Sequence, residues 1–131
     1  MFARMSAQDV LRRFLDTVAT NDADAIAGCF TADAVYTNVP QPPIVGREAI
    51  REMFAKIGAR STAVRWDVVT ASYSDGCGWL ERVDHFWLGD RQVSIECNGV
   101  FVVDTEQGLI SEVRDYLDFG TYRERMAAAT S

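Results

Sequence analysis

The sequence predicts an α+β domain in which helices pack on one face of a curved, mainly antiparallel sheet. Three observations carry that expectation. Apolar residues recur at helical spacing through the N-terminal half of the chain. The period then changes to two, and the period-two segments are joined by short connections rich in Gly, Asp and Ser.

The first helix opens at Ser6, with Asp9 completing a capping box, and Val10, Leu11, Phe14, Leu15 and Val18 form its apolar face. Asn21-Asp22 interrupts it, and a shorter helix is expected over Asp24–Phe30. Ala34–Val39 reads as a strand, ended by Pro40, Pro42 and Pro43, which cannot sit inside a ladder. A third helix follows Gly46 with the stripe Ile50, Met53, Phe54 and Ile57, and stops at Gly58. Four strands are expected next, over Val64–Tyr73, Gly78–Leu88, Gln92–Asp104 and Leu109–Asp118. The connections Ser74-Asp75-Gly76, Gly89-Asp90 and Glu106-Gln107-Gly108 favour antiparallel pairing. Tyr122–Ala129 forms a last helix. The 131 residues suit a single domain, 1–131, with no repeat or linker inside it. Between sheet and helices such a domain encloses an apolar pocket of the kind small ligands occupy.

Composition narrows the function classes. The formal net charge is −6 and no basic run occurs, which argues against nucleic-acid partners, whose phosphates require clustered Lys and Arg. The three cysteines, Cys29, Cys77 and Cys97, are widely spaced and sit among apolar or small residues, so free buried thiols in a reducing cytoplasm are expected. The segment Met1-Phe2-Ala3-Arg4-Met5 lacks the apolar core of a signal peptide, and no stretch is long enough to span a membrane.

The informative feature is charge where the pattern calls for apolar residues. In Gly78–Leu88, strand alternation sets Leu80, Arg82, Asp84, Phe86 and Leu88 on one face. In Leu109–Asp118 it groups Leu109, Ser111, Val113, Asp115 and Leu117. A core-facing charge costs several kcal/mol unless it is paired and hydrogen-bonded. One guanidinium can bond two carboxylates at once, so Arg82 between Asp84 and Asp115 would resolve the cost. Two acids sharing one cation favour one ionised and one protonated member, a base and an acid side by side. The plainer alternative is an ordinary salt bridge on a solvated face, and a register slip of one residue would turn Glu81, Val83 and His85 inward instead. Tyr36 and Asn38, two apart on the first strand, can hold a water molecule, although an Asn beside a proline-rich turn is common.

Other chemistries fit less well. With His85 the sole histidine, a metal site of several His ligands is excluded. A serine triad would need His85 beside Asp84, and the two point to opposite faces, so His85 reads as structural or partly exposed. Gly76-x-Gly78 lies in a hairpin without the helix that a phosphate loop requires. Trp66, Trp79 and Trp87 read as core or interface residues.

Several stretches together resemble the limonene-1,2-epoxide hydrolase family. They are Tyr36-Thr37-Asn38-Val39-Pro40-Gln41-Pro42-Pro43 with Gly46-Arg47, then Glu81-Arg82-Val83-Asp84, Gly99-Val100-Phe101 and Arg114-Asp115-Tyr116-Leu117-Asp118. The resemblance implies a cone-shaped fold like that of nuclear transport factor 2, a homodimer, and a deep apolar pocket. It implies a cofactor-free, metal-free enzyme that adds water to a small apolar epoxide in one step, without a covalent intermediate. Carried over, Asp84 is the base, Tyr36 and Asn38 orient the water, Asp115 protonates the epoxide oxygen and Arg82 bridges the aspartates. Leu15, Val18, Ile57, Phe86 and Leu117 are the expected pocket lining. Cys97 and Gly99 depart from the larger aliphatics expected there, Phe86 is bulky, and the segment before the first helix is short. An isomerase, cyclase or dehydratase of the same fold, and a non-catalytic carrier of an apolar ligand, remain the alternatives.

Overall fold

The computed structural model describes residues 4–130; Met1 to Ala3, part of the segment read above for a signal peptide, lie outside the described residues. Helix α1 (Ala7–Val18) begins where the Ser6 hydroxyl accepts the Asp9 amide at 3.1 Å, and its stripe of Val10, Leu11, Phe14 and Val18 is buried. Asn21, at φ 55°, turns the chain into α2 (Ala23–Ala27), whose first amides are capped by the Asp22 carboxylate. This helix ends earlier than the expected Phe30. Phe30 instead opens strand β1 (Phe30–Val39), pairing with Ile110, while its carbonyl accepts two bonds from the Arg47 guanidinium at 3.0 and 2.6 Å. Long-range pairing overrides the local helical pattern here, because a sheet register and a buried Phe30 side chain contribute more than one extra helical turn.

After the proline-rich turn a two-residue strand, β2 (Ile44–Val45), returns against β1, and α3 (Arg47–Ala59) buries Ile50 and Phe54. Four strands follow as an antiparallel meander: β3 (Ala63–Ser74), β4 (Cys77–Leu88), β5 (Arg91–Asp104) and β6 (Leu109–Tyr116). Gly76, Gly89 and Gly108 hold φ near 70° in the three hairpin turns, a conformation costly for any side chain with a Cβ. Strand β6 stops two residues short of the expected Asp118. That carboxylate instead accepts the Thr121 amide at 3.0 Å and starts α4 (Phe119–Thr130), earlier than the Tyr122 anticipated.

The six strands form one curved, unclosed sheet in the order β2-β1-β6-β5-β4-β3, with β1 and β6 parallel and every other pair antiparallel. The core lies between this sheet and the helices around Phe14, whose ring meets Phe30, Phe54 and Trp66 edge-on at 5.5, 6.4 and 5.7 Å. Such pairs add to the area burial that drives the packing. Among the described residues, no helix is long and apolar enough to cross a membrane.

Candidate active site

Strand β4 alternates as expected: Leu80, Arg82, Asp84 and Phe86 are buried while Trp79 and Glu81 are exposed. Strand β6 follows the alternation only in part. A bulge between the Val102–Glu112 and Val103–Ile110 pairs inserts Ser111, so Ile110 rather than Leu109 or Ser111 faces the core. Beyond the bulge Val113 and Asp115 point inward, and Asp115 is 2% exposed.

Arg82, 1% exposed, holds both acids. Its Nε and Nη2 donate to Asp84 at 2.7 and 3.2 Å, and its Nη1 and Nη2 donate to Asp115 at 2.9 and 2.8 Å. The guanidinium lies 4.0 Å from the Trp66 ring centroid, and Trp66 is the cross-strand partner of Asp84. Burial opposes the Arg82 charge, but Asp115 and Asp84 outweigh it and hold the group protonated well above its ordinary value.

Reaching from β4 to β6 carries the guanidinium across β5, and Gly99 makes the crossing sterically free. A Cβ there would stand 2.5 Å from both Arg82 Nη1 and Asp115 Oδ1, and 2.8 Å from the Phe101 ring. This explains the missing aliphatic at position 99. Gly99→Ala, which removes backbone entropy from the unfolded chain and so stabilises many strands, should here cost about 1–3 kcal/mol through overpacking. Urea denaturation of the variant measures the loss. The small side chain at position 97 has the same setting: burial first, then the Asp115 charge, pushes the Cys97 thiol far above its ordinary range. It is an inert neutral group, not a nucleophile.

Tyr36 and Asn38 project from β1 beside Asp115, for Asn38 pairs with Asp115 in the parallel register and the Tyr36 hydroxyl donates to Asp115 Oδ2. The resemblance drawn from the sequence groups these two with Asp84. The parallel β1–β6 pairing, invisible in either strand alone, sets them on the other acid. Burial, and next the Asp115 charge, lifts the Tyr36 phenol well above its usual value, so it stays a proton donor to the carboxylate. Burial likewise pushes the Asp84 carboxyl up to about 6, against the pull of Arg82 and with the Asp115 charge adding to the rise.

Tyr36, Asn38, Asp84 and Asp115 open onto a cavity of about 230 Å³. Of the expected lining residues, Ile57, Phe86 and Leu117 are on its wall. Leu15 and Val18 are not. Val18 is buried in the α1 contact with the core and Leu15 only packs at its edge. The aromatic layer explains the correction, because Phe54 and Trp66, which do line the cavity, stand in contact with Phe14 of α1. Phe54 and Met53 share the α3 stripe with Ile57 and were legible as one face; Arg60, Phe119 and Tyr122 carried no pattern that marked them.

His85 lies on the opposite face of the sheet, between Ser94 Oγ (2.6 Å from Nδ1) and Asp67 Oδ2 (3.1 Å from Nε2). These are the residue types of a serine triad, yet the backbone N–H groups around them lie in the plane of the sheet and pair within its ladders. Amides committed to the ladders are not free to stabilise an oxyanion beside Ser94.

A curved sheet with helices over one face, and a paired-acid site opening onto an apolar cavity, define a domain that binds or transforms a small molecule. The sequence profile of the SnoaL-like domain family matches residues 11–113, and the chain belongs to that family. Its fold is shared with an LEH-like epoxide hydrolase from M. tuberculosis (24% identity, TM-score 0.74, covering 88% of this chain and 81% of that one). It is also similar to a protein put forward as a SnoaL-like polyketide cyclase from Shewanella denitrificans OS-217 (11% identity, TM-score 0.79, covering 92% and 96%). A third similar structure is a protein of ketosteroid isomerase-like fold from Catenulispora acidiphila DSM 44928, in complex with trimethylamine (16% identity, TM-score 0.76, covering 89% and 91%).

Proposed function

We propose that this chain is an epoxide hydrolase that adds water to a small, mainly apolar epoxide and releases a vicinal diol. The observation that carries the reading is the unbroken chain Tyr36–Asp115–Arg82–Asp84, in which Tyr36, Asp115 and Asp84 line the cavity and Arg82 lies behind them. The name of the M. tuberculosis neighbour agrees with it.

The two acids exchange the roles expected from sequence. Asp115, beside the water-binding pair Tyr36 and Asn38, is the base; Asp84, whose carboxyl keeps its proton up to about pH 6, is the acid. Asp115 takes a proton from water as the water oxygen bonds to one ring carbon. The carbon–oxygen bond on that carbon breaks, and the departing oxygen takes the Asp84 proton. Both carboxylates already accept two bonds or more from Arg82 and Tyr36, which lowers their own nucleophilicity and favours direct attack by water. The test is turnover of a panel of cycloalkene, terpene and styrene oxides in oxygen-18 water: one labelled oxygen in the diol is expected, and the absence of any diol would sink the reading. An isomerase, cyclase or dehydratase would leave its product unlabelled, and a carrier would give no product.

The pH dependence follows from Asp84. Turnover should fall as pH rises through about 6, because the acid is then lost. Stability moves the same way: a carboxyl whose folded value exceeds its ordinary 3.8 contributes most below 3.8, and that contribution disappears as pH rises through about 6. A rate profile that climbs across this window would contradict Asp84 as the acid.

The homodimer belongs to the same proposal. Trp79 and Tyr116, 49% and 44% exposed, flank Asn98 on the outer sheet face, where a second copy would cover them. A cytoplasmic setting agrees with three free cysteines.

A further inference from the structure

We infer that Arg60 takes an anionic group on the substrate, and that the substrate class is a small epoxide carrying a carboxylate. The inference rests on the hydrolase reading above and adds the polar end of the molecule to it. Ten of the arginines have a guanidinium that is hydrogen-bonded or ion-paired within the protein. Among the described residues, Arg60 and Arg123 alone have none, and they are not scattered. Arg60 lies on the wall of the catalytic cavity, and a groove that shares Arg60 and Tyr122 with it continues along Arg123 and Thr130.

A second, independent observation concerns the wall itself. Apart from the acid–base set, the polar side chains on the wall are Arg60, Trp66 and Tyr122, and the first two can only donate. The Trp66 indole N–H is buried without any partner in a side chain 8% exposed, and the Arg60 guanidinium offers several N–H groups. A buried orphan donor is costly, and most such groups find a partner or mark a ligand. Donors in surplus call for acceptors brought by the ligand. The acceptor suited to a planar guanidinium is a carboxylate, which takes two parallel bonds. Arg60 shares the cavity with both acids, so the apolar body and epoxide would lie against Asp84 and Asp115 with the anion at Arg60.

The experiment compares an epoxycyclohexane carboxylate with its methyl ester on the wild-type enzyme, on Arg60→Gln and on the Arg60→Gln/Arg123→Gln double variant. The expected result is a kcat/KM for the acid about tenfold above that for the ester, collapsing towards equality in the variants through a rise in KM. Equal rates in the wild type, or a preference that survives both variants, would overturn the inference. Binding of the corresponding dihydroxy acid and its ester, read by calorimetry, separates this from the hydrolase reading. If no epoxide is turned over, the hydrolase reading fails, yet tighter binding of the acid that Arg60→Gln abolishes still upholds the anion site. Equal or absent binding of acid and ester overturns it.

Discussion

Replacing Asp115 by Asn should lower diol formation by about three orders of magnitude while leaving the fold intact, the loss typical of removing a general base. The amide keeps the shape of the carboxylate, so it fills the same space between Arg82 and Tyr36, but it cannot take a proton from water. Asp84→Asn should lose a comparable factor for a different reason, since the opening ring then has no proton donor. The two losses are told apart by azide, an anionic nucleophile that needs no deprotonation. With Asp115→Asn, azide should open the epoxide to an azido alcohol, because Asp84 still supplies the proton to the leaving oxygen. With Asp84→Asn it should not. The reverse pattern, rescue at Asp84 alone, would restore the assignment first expected from sequence, in which Asp84 is the base. Azide rescue of neither variant, with circular dichroism showing both folded, would argue that proton transfer is not what these carboxylates do.

Why the sequence turns Asp84 and Asp115 inward, as the structure does, and yet groups Tyr36 and Asn38 with Asp84 rather than with Asp115 is a matter of which information is local. Inward-facing Arg82 and Asp84 follow from period-two alternation within β4, and Asp115 follows from the same rule beyond the Ser111 bulge. Alternation needs only the strand itself. The partner of Tyr36 and Asn38 depends instead on a parallel pairing between the first and last strands, separated by most of the chain, and nothing in β1 encodes it. The same reason hid Phe30 as a strand residue and the two-residue β2. The pocket lining divides in the same way. Ile57 lies on an amphipathic stripe and Phe86 and Leu117 sit two residues from the acids, so all three were legible. Leu15 and Val18 belong to an equally apolar stripe, but a layer of aromatic rings separates them from the cavity, and layering is a property of the packed whole. Arg60, at the end of α3, breaks no pattern; what distinguishes it is a guanidinium with no hydrogen-bond or ion-pair partner among the described residues.

Arg82→Leu should be the most destabilising single change in the chain, by about 3–5 kcal/mol at neutral pH. The guanidinium makes four hydrogen bonds to two carboxylates that are 5% and 2% exposed, and no other cation reaches either of them among the described residues. Leucine fills much of the volume over Trp66 but leaves two buried acids whose charged forms have lost their counter-ion. They will respond by binding protons, since a buried carboxylate without its counter-ion is costly. The sign of the pH dependence then follows: the penalty is smallest at low pH, where both acids are neutral in either state, and grows as pH rises and folding must hold protons that the unfolded chain releases. Urea denaturation at acid and neutral pH reads this directly. Removing the acids as well, in Arg82→Leu/Asp84→Asn/Asp115→Asn, should recover most of the lost stability, because the cost lies in the stranded charges rather than in the missing contacts. If the triple variant were as unstable as the single one, the guanidinium would matter chiefly as packing against Trp66, and the argument that charge pairing holds this site together would fail. Recovery would show that these three residues stabilise the fold only as a set and that an apolar filling serves folding as well. The ionic set would then be retained for the chemistry it performs on a bound molecule.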